Sequence, residues 1–155
     1  MTKQRIKPVR WWDFQAAILG LVILQIAAAR LVATQWTPHL TLVPTVAFFG
    51  IILGLALGQS IFSRILSGIF AIAYGICIIP WQLGLTLGTG IAWTERLESL
   101  HGRIGMVLQE LIQRQPITDN LLFLLLMALV FWIISVYAGY TLVRYGYAWR
   151  VVLPG

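Results

Sequence analysis

The sequence predicts an all-α integral membrane protein with four transmembrane helices and an extracytoplasmic amphipathic helix at the membrane interface between helices 3 and 4. Of the 155 residues, 59% are hydrophobic and only 10% are charged, whereas about a quarter of the residues of a soluble domain are charged. Four apolar runs, near positions 14–34, 40–57, 65–87 and 121–143, are each long enough to cross a bilayer as a helix. We therefore expect a single membrane domain over residues 1–155.

The net charge of +6 is arranged as a topology signal. Basic residues flank the apolar runs and are not gathered on a polar face with aromatic residues between them, so the pattern does not fit nucleic-acid binding. The segments assigned to the cytoplasm hold Lys3, Arg5, Lys7, Arg10, Arg64, Arg144 and Arg150, and those assigned outside hold Arg96, Arg103 and Arg114. This asymmetry predicts that both termini lie on the cytoplasmic side of the membrane.

The first apolar run is predicted to be a retained transmembrane helix. Its length of about 21 residues exceeds the 7 to 15 residues of a signal-peptide core. Trp11 and Trp12 precede it, where indole rings favour the headgroup level, and we expect Trp93 and Trp149 to be interfacial anchors of the same kind.

Two polar residues interrupt this first run. Gln25 is expected to make an interhelical hydrogen bond. Arg30 lies about one turn from the predicted outer end, so the simplest interpretation is that its side chain extends to the interface. A sharper hypothesis pairs Arg30 with Glu95 or Glu98, which would fix the amphipathic helix to the bundle.

The second run carries glycines at four-residue spacing, namely Gly50, Gly54 and Gly58. Such a stripe lets another helix backbone approach closely, and we favour packing within this chain over a dimer interface, which the motif itself does not distinguish. The short connection before it, residues 35–39, is expected to form a tight turn. His39 in this turn is interpreted as an interfacial polar residue rather than as a haem or chlorophyll ligand.

The third run contains Pro80, which predicts a kink near its outer end. It also contains Cys77, the single cysteine of the chain. One cysteine supports neither an internal disulfide framework nor a cysteine metal site. We therefore expect Cys77 to be a small apolar packing residue.

The interval Ile91 to Asn120 is the only long polar stretch between the apolar runs, and it predicts an interfacial helix over about residues 91–114. An apolar stripe at steps of three and four comprises Trp93, Leu97, Leu100, Ile104, Val107 or Leu108, and Leu111. Its ionisable residues Glu95, Glu98, His101 and Glu110 lie on one helix without a second ligand-bearing element. Solvated charge pairing is therefore the better interpretation than a metal or acid/base site, and we expect no catalytic, cofactor-binding or metal-binding residues.

The order of the segments resembles the N-terminal membrane domain of bacterial transglutaminase-like membrane proteins. The resemblance rests on a basic N-terminus, three helices, the segment W-T-E-R-L-E-S-L, then D-N-L-L-F-L-L-L, and a helix followed by Y-A-W-R-V-V-L-P-G. In that family further helices and an extracytoplasmic domain with a Cys-His-Asp arrangement would follow. Val151 to Gly155 would then open a fifth transmembrane helix, and Cys77, inside an apolar run, does not match the family nucleophile.

The function expected from these features is that of a non-catalytic membrane anchor or scaffold, and this chain is not expected to be an enzyme. Its partners would be the lipid bilayer and either its own C-terminal domain or other integral membrane subunits. The alternative is a small accessory subunit of a larger photosynthetic or respiratory membrane complex. A transporter or intramembrane enzyme is disfavoured because, apart from Gln25 and Arg30, the apolar runs lack ionisable or strongly polar residues at membrane depth.

Overall fold

The computed structural model describes residues 14–87, 90, 92–113 and 120–145. Over these residues the chain forms α-helices and connecting turns, with no strand. The helices are α1 (Phe14–Ala33), α2 (Leu42–Gln59), α3 (Arg64–Leu85), α4 (Trp93–Ile112) and α5 (Leu121–Tyr145). The all-helical prediction is confirmed, and each helix agrees with its predicted bounds to within a few residues.

Four of these helices, α1, α2, α3 and α5, are long and apolar enough to cross a membrane. They indicate a multi-pass membrane protein. Helix α4 is as long as α1, with 20 residues, but it carries five charged residues and is not apolar enough to be counted with the other four.

The connections between the helices are short and hydrogen-bonded. His39 adopts a left-handed backbone conformation with φ of 66°, and its carbonyl accepts a hydrogen bond from the Leu42 amide at 3.2 Å. The tight turn predicted before α2 is therefore confirmed. Between α2 and α3, the Ser63 hydroxyl accepts from the Leu66 amide at 3.3 Å and caps the start of α3.

Helices α2 and α5 run in the same direction and form the centre of the bundle. Gly50, near the middle of α2, faces Trp132 and Ser135, and Gly58, one residue before its last, faces Tyr140 and Val143. Residue numbers therefore increase in the same direction along both helices, so the two helices are parallel. The parallel direction follows because α3 runs back along the bundle between them, so α5 begins at the same end of the bundle as α2.

Helices α1 and α3 pack around this central pair. The Gln25 side-chain amide of α1 donates to the Pro44 carbonyl of α2 at 3.0 Å, which confirms the predicted interhelical hydrogen bond. Ala17 and Leu24 of α1 share a buried cluster with Ile51 of α2 and with Ala138 and Leu142 of α5. A larger cluster at the other end of α5 joins all five helices and includes Leu100 of α4.

Two features of the apolar pattern differ from the sequence prediction. Cys77 is exposed on α3, so it does not pack in the core, because the face of α3 that turns inward is the one carrying Ser67, Gly75 and Ile79. Among the α4 side chains that the structure describes, Arg96 and Leu100 are buried, whereas Leu97 is exposed. The face of α4 that meets the bundle is thus rotated toward Arg96 relative to the predicted stripe.

Candidate functional site

The structure holds two contacts that fix the arrangement of the helices, and together they form the candidate functional site. The first is the α2–α5 seam, defined as Gly50, Gly54 and Gly58 of α2 with Ser135 and Gly139 of α5. The second is the α3–α4 junction, defined as Gly84 of α3 with Trp93 and Arg96 of α4. Both depend on a glycine that lets a neighbouring group approach the helix backbone.

At the α2–α5 seam the two helix backbones are in contact. A methyl group added at Gly139 would lie 2.5 Å from the Ile51 carbonyl oxygen, and one added at Gly54 would overlap the Val136 carbonyl oxygen. At Gly58 it would lie 2.9 Å from the Val143 side chain. These positions therefore require glycine, since any larger side chain pushes the helices apart.

The three glycines of α2 all face α5 within the same chain. Their surface is consequently occupied and is not presented to a second copy. The partner stripe on α5, Ser135 and Gly139, has the same four-residue spacing of small residues. The sequence analysis did not single it out, although this small-xxx-small pattern is the signal that would have identified it.

At the α3–α4 junction, the Trp93 ring covers Gly84. A methyl group on Gly84 would lie 2.9 Å from the ring. The Arg96 guanidinium lies 5.0 Å from the centroid of the same ring, and its Nη1 donates to the Gly84 carbonyl oxygen at 3.4 Å. This arrangement combines a cation–π contact with a cation at the C-terminal end of α3, where unpaired carbonyls favour positive charge.

Arg96 is 7% exposed, whereas the sequence predicts it only as one of the basic residues outside the membrane. Long arginine side chains can lie along an apolar surface while the guanidinium finds a polar partner. Arg96 precedes Leu100 by four residues, so both share one helix face. The four-residue spacing of Arg96 and Leu100, together with Gly84 at the end of the preceding helix, is the sequence signal that identifies this contact.

The predicted ion pair between Arg30 and Glu95 or Glu98 is not formed among the described residues. All three side chains are exposed, and the guanidinium that joins α4 to the bundle belongs to Arg96. The physical reason is the rotation of α4: burying Arg96 and Leu100 turns Glu95 and Glu98 away from the bundle.

The predicted interfacial anchors are only partly described. Trp93 takes part in the α3–α4 junction, with 44% of its surface exposed. Trp11, Trp12 and Trp149 lie outside the described residues, as do the N-terminal basic cluster, Arg114, Arg150 and the segment Val151 to Gly155.

No catalytic constellation is assembled within the described part of the chain. Histidine, cysteine and acidic side chains there form no group of three that could hold a metal ion. His39, Cys77 and His101 are each exposed, on the turn before α2, on α3 and on α4.

Comparison with protein-family models, with curated proteins and with solved structures gives no match.

Proposed function

We propose that this chain is a non-catalytic membrane module that anchors or scaffolds other protein parts. The observation that carries the proposal is the α2–α5 seam, where glycines bring two helix backbones into contact along the second half of α2. Such a contact makes a rigid central pair, because small interfacial residues maximise van der Waals packing between helices in lipid. The α2–α5 pair makes the bundle rigid, and the α3–α4 junction fixes α4 to that bundle. Such an arrangement is suited to holding a surface in place for other protein parts, and not to opening and closing a transport pathway.

The proposed orientation places α4 at the extracytoplasmic surface of a bacterial inner membrane. Arg64 begins α3 and Arg144 lies in the last turn of α5. The Arg144 Nη1 donates to the Ser60 carbonyl at 2.9 Å, so both arginines lie at the end of the bundle opposite α4. Their clustering supports a cytoplasmic assignment for that end.

The resemblance to transglutaminase-like membrane proteins indicates which protein part the module would anchor. In that form of the proposal, the module anchors a downstream extracytoplasmic domain. The accessory-subunit form is the alternative, in which the same module binds separate integral membrane subunits. Large exposed apolar side chains on α1 and α3, such as Ile26, Ile69 and Ile76, are compatible with both, because lipid or another subunit can cover them.

Mass measurements on the protein purified from its own membrane in mild detergent test the proposal and separate its two forms. An anchor is expected to show a larger covalent mass under denaturing conditions. An accessory subunit is expected to show a larger mass only in the native state. A partner-free chain that by itself turns over a substrate would contradict both.

The placement of α4 has its own test, in which two arginines receive the same substitution. Arg96→Leu removes the donor to Gly84 and is expected to increase proteolytic cleavage within α4 several-fold, because charged hydrogen bonds contribute about 1.5–3 kcal/mol. Arg30→Leu is expected to leave cleavage unchanged, since Arg30 is exposed and unpaired with Glu95 or Glu98. The reverse ranking would restore the Arg30 hypothesis.

A further inference from the structure

A groove of about 540 Å³ runs between α3 and α5 beside the seam, and Trp132, Val136 and Tyr140 both line the groove and meet α2. Its length follows the α3 face from Arg64 to Pro80, a distance of about 24 Å along a helix. Most of the lining is apolar, with Ile72, Ile76 and Leu129 among its residues. The volume falls within the range of about 300–1,000 Å³ that is usual for small-ligand sites.

The polar lining groups gather at one end of this α3–α5 groove. Arg64 and Ser67 come from the start of α3, and Tyr137 and Tyr140 come from the second half of α5. The other end, around Ile79 and Leu125, is apolar. The groove therefore has the polarity of an amphiphile, with a cationic end and an apolar length.

Two hydroxyl groups at the polar end are buried without a hydrogen-bond partner among the described residues. They are the Ser67 Oγ and the Tyr140 hydroxyl, and Ser67 is only 4% exposed. Buried hydroxyl groups in an apolar environment are normally hydrogen-bonded, because leaving one unpaired is unfavourable. Both residues line the groove, and a rotation of either hydroxyl group toward an occupant with oxygen acceptors would satisfy it.

The charge at this end selects the class of occupant. The Arg64 guanidinium lies 5.1 Å from the centroid of the Tyr145 ring, and no ion pair joins it to the acidic residues that the structure describes. Those residues, Glu95, Glu98 and Glu110, are all on α4, at the other end of α3. An anionic group at the mouth of the groove is therefore complementary to Arg64.

We infer that the α3–α5 groove binds one anionic phospholipid, with its phosphate at Arg64, an ester oxygen at Ser67 and an acyl chain along the apolar length. Ser67 lies three residues into the membrane from Arg64, about 4.5 Å along the helix axis. A phospholipid presents its phosphate and then its ester carbonyls in the same order of depth. An apolar helix of a second copy of this chain would satisfy the apolar length, but α1, α2, α3 and α5 carry no acidic residue to place at Arg64.

The test uses the full chain in nanodiscs with equal amounts of phosphatidylglycerol and phosphatidylcholine, followed by native mass spectrometry in mild detergent. The wild-type protein is expected to retain one phospholipid, with phosphatidylglycerol strongly preferred. Arg64→Gln should reduce this preference about fivefold, the effect of one arginine near an anionic headgroup. Arg30→Gln, which removes an exposed arginine from the opposite end of the bundle, is the matched control and should leave the preference unchanged.

A second pair of variants tests the groove itself. Gly68 lines the groove, and a side chain added there meets nothing within 4 Å. Gly68→Leu should therefore occupy the groove without disturbing the fold and remove the bound lipid. Gly102→Leu, at a glycine of α4 with equally open surroundings, should retain it. Ser67→Ala should weaken retention about threefold, as expected for one hydrogen bond in a membrane protein, and unchanged thermal unfolding would show that each variant is folded.

Three results would overturn the inference. The first is equal retention of the two phospholipids by the wild-type protein. The second is unchanged retention in Gly68→Leu. The third is a lipid-free mass of two chains that Gly68→Leu converts to one, which would assign the groove to a second copy of this protein.

Discussion

Helix α5 contacts α2 and α3 in contrasting ways. Toward α2 it presents Ser135 and Gly139, and the two backbones touch. Toward α3 it presents Trp132, whose indole lies against Gly75 and donates to the Ala71 carbonyl at 3.1 Å, and beside this contact the helices leave the α3–α5 groove open. Because lipid chains are as apolar as leucine, hydrophobicity does not distinguish the two sides. The two sides of α5 differ instead in the size of the residues at the contact.

The largest expected effect comes from enlarging a residue of the seam. Gly54→Leu should lower the free energy of unfolding by more than about 3 kcal/mol, since even a methyl group at this position overlaps the Val136 carbonyl and overpacking by one or two methylenes already costs about 1–3 kcal/mol. Thermal and denaturant unfolding in detergent would measure the loss. Gly54→Ala should give a smaller loss of the same sign, and a neutral result for both would show that the seam is not tightly packed.

A moderate effect is expected where α3 and α5 make their contact through Trp132. Trp132→Phe keeps an aromatic ring but removes the donor to Ala71, so the free energy of unfolding should fall by about 1 kcal/mol. The same unfolding assay applies. If the loss matched that of Gly54→Leu, the two sides of α5 would contribute equally to stability and the contrast between them would fail.

The smallest effect is expected within the groove. Gly68→Ala adds a methyl group that meets no neighbour within 4 Å, so the substitution should be neutral or raise stability by up to about 1 kcal/mol through helix propensity. It is the matched counterpart of Gly54→Ala. A destabilisation comparable to that of Gly54→Ala would mean that another helix occupies the groove.

The sequence predicted the apolar helices closely because each must satisfy its backbone hydrogen bonds internally and match the membrane thickness. The run predicted over 121–143 is observed as α5, Leu121–Tyr145, and that over 14–34 as α1, Phe14–Ala33. The hydrogen bond of Gln25 was predictable for the same reason, since a polar group at membrane depth needs a partner.

The candidate site was only partly predictable. Glycine spacing indicated a packing face on α2, but the spacing is the same whichever helix covers it. The position of α4 depends on how Arg96 and Leu100 fit against the end of α3. A rotation of roughly 50°, half the step between successive residues, brings Leu97 inward in place of Arg96. Helical periodicity alone does not resolve so small a rotation.

What the sequence by itself determined is the number, length and type of the helices, because these depend on properties of each segment taken alone. Only the tertiary structure decided that α2 and α5 run side by side in the same direction, that Arg96 rather than Arg30 joins α4 to the bundle, and that α3 leaves a groove along α5. These features depend on the shapes of residues distant in sequence, such as Gly54 against Val136 and Gly75 against Trp132. Packing complementarity of that kind is a property of pairs of surfaces and is not contained in either helix separately.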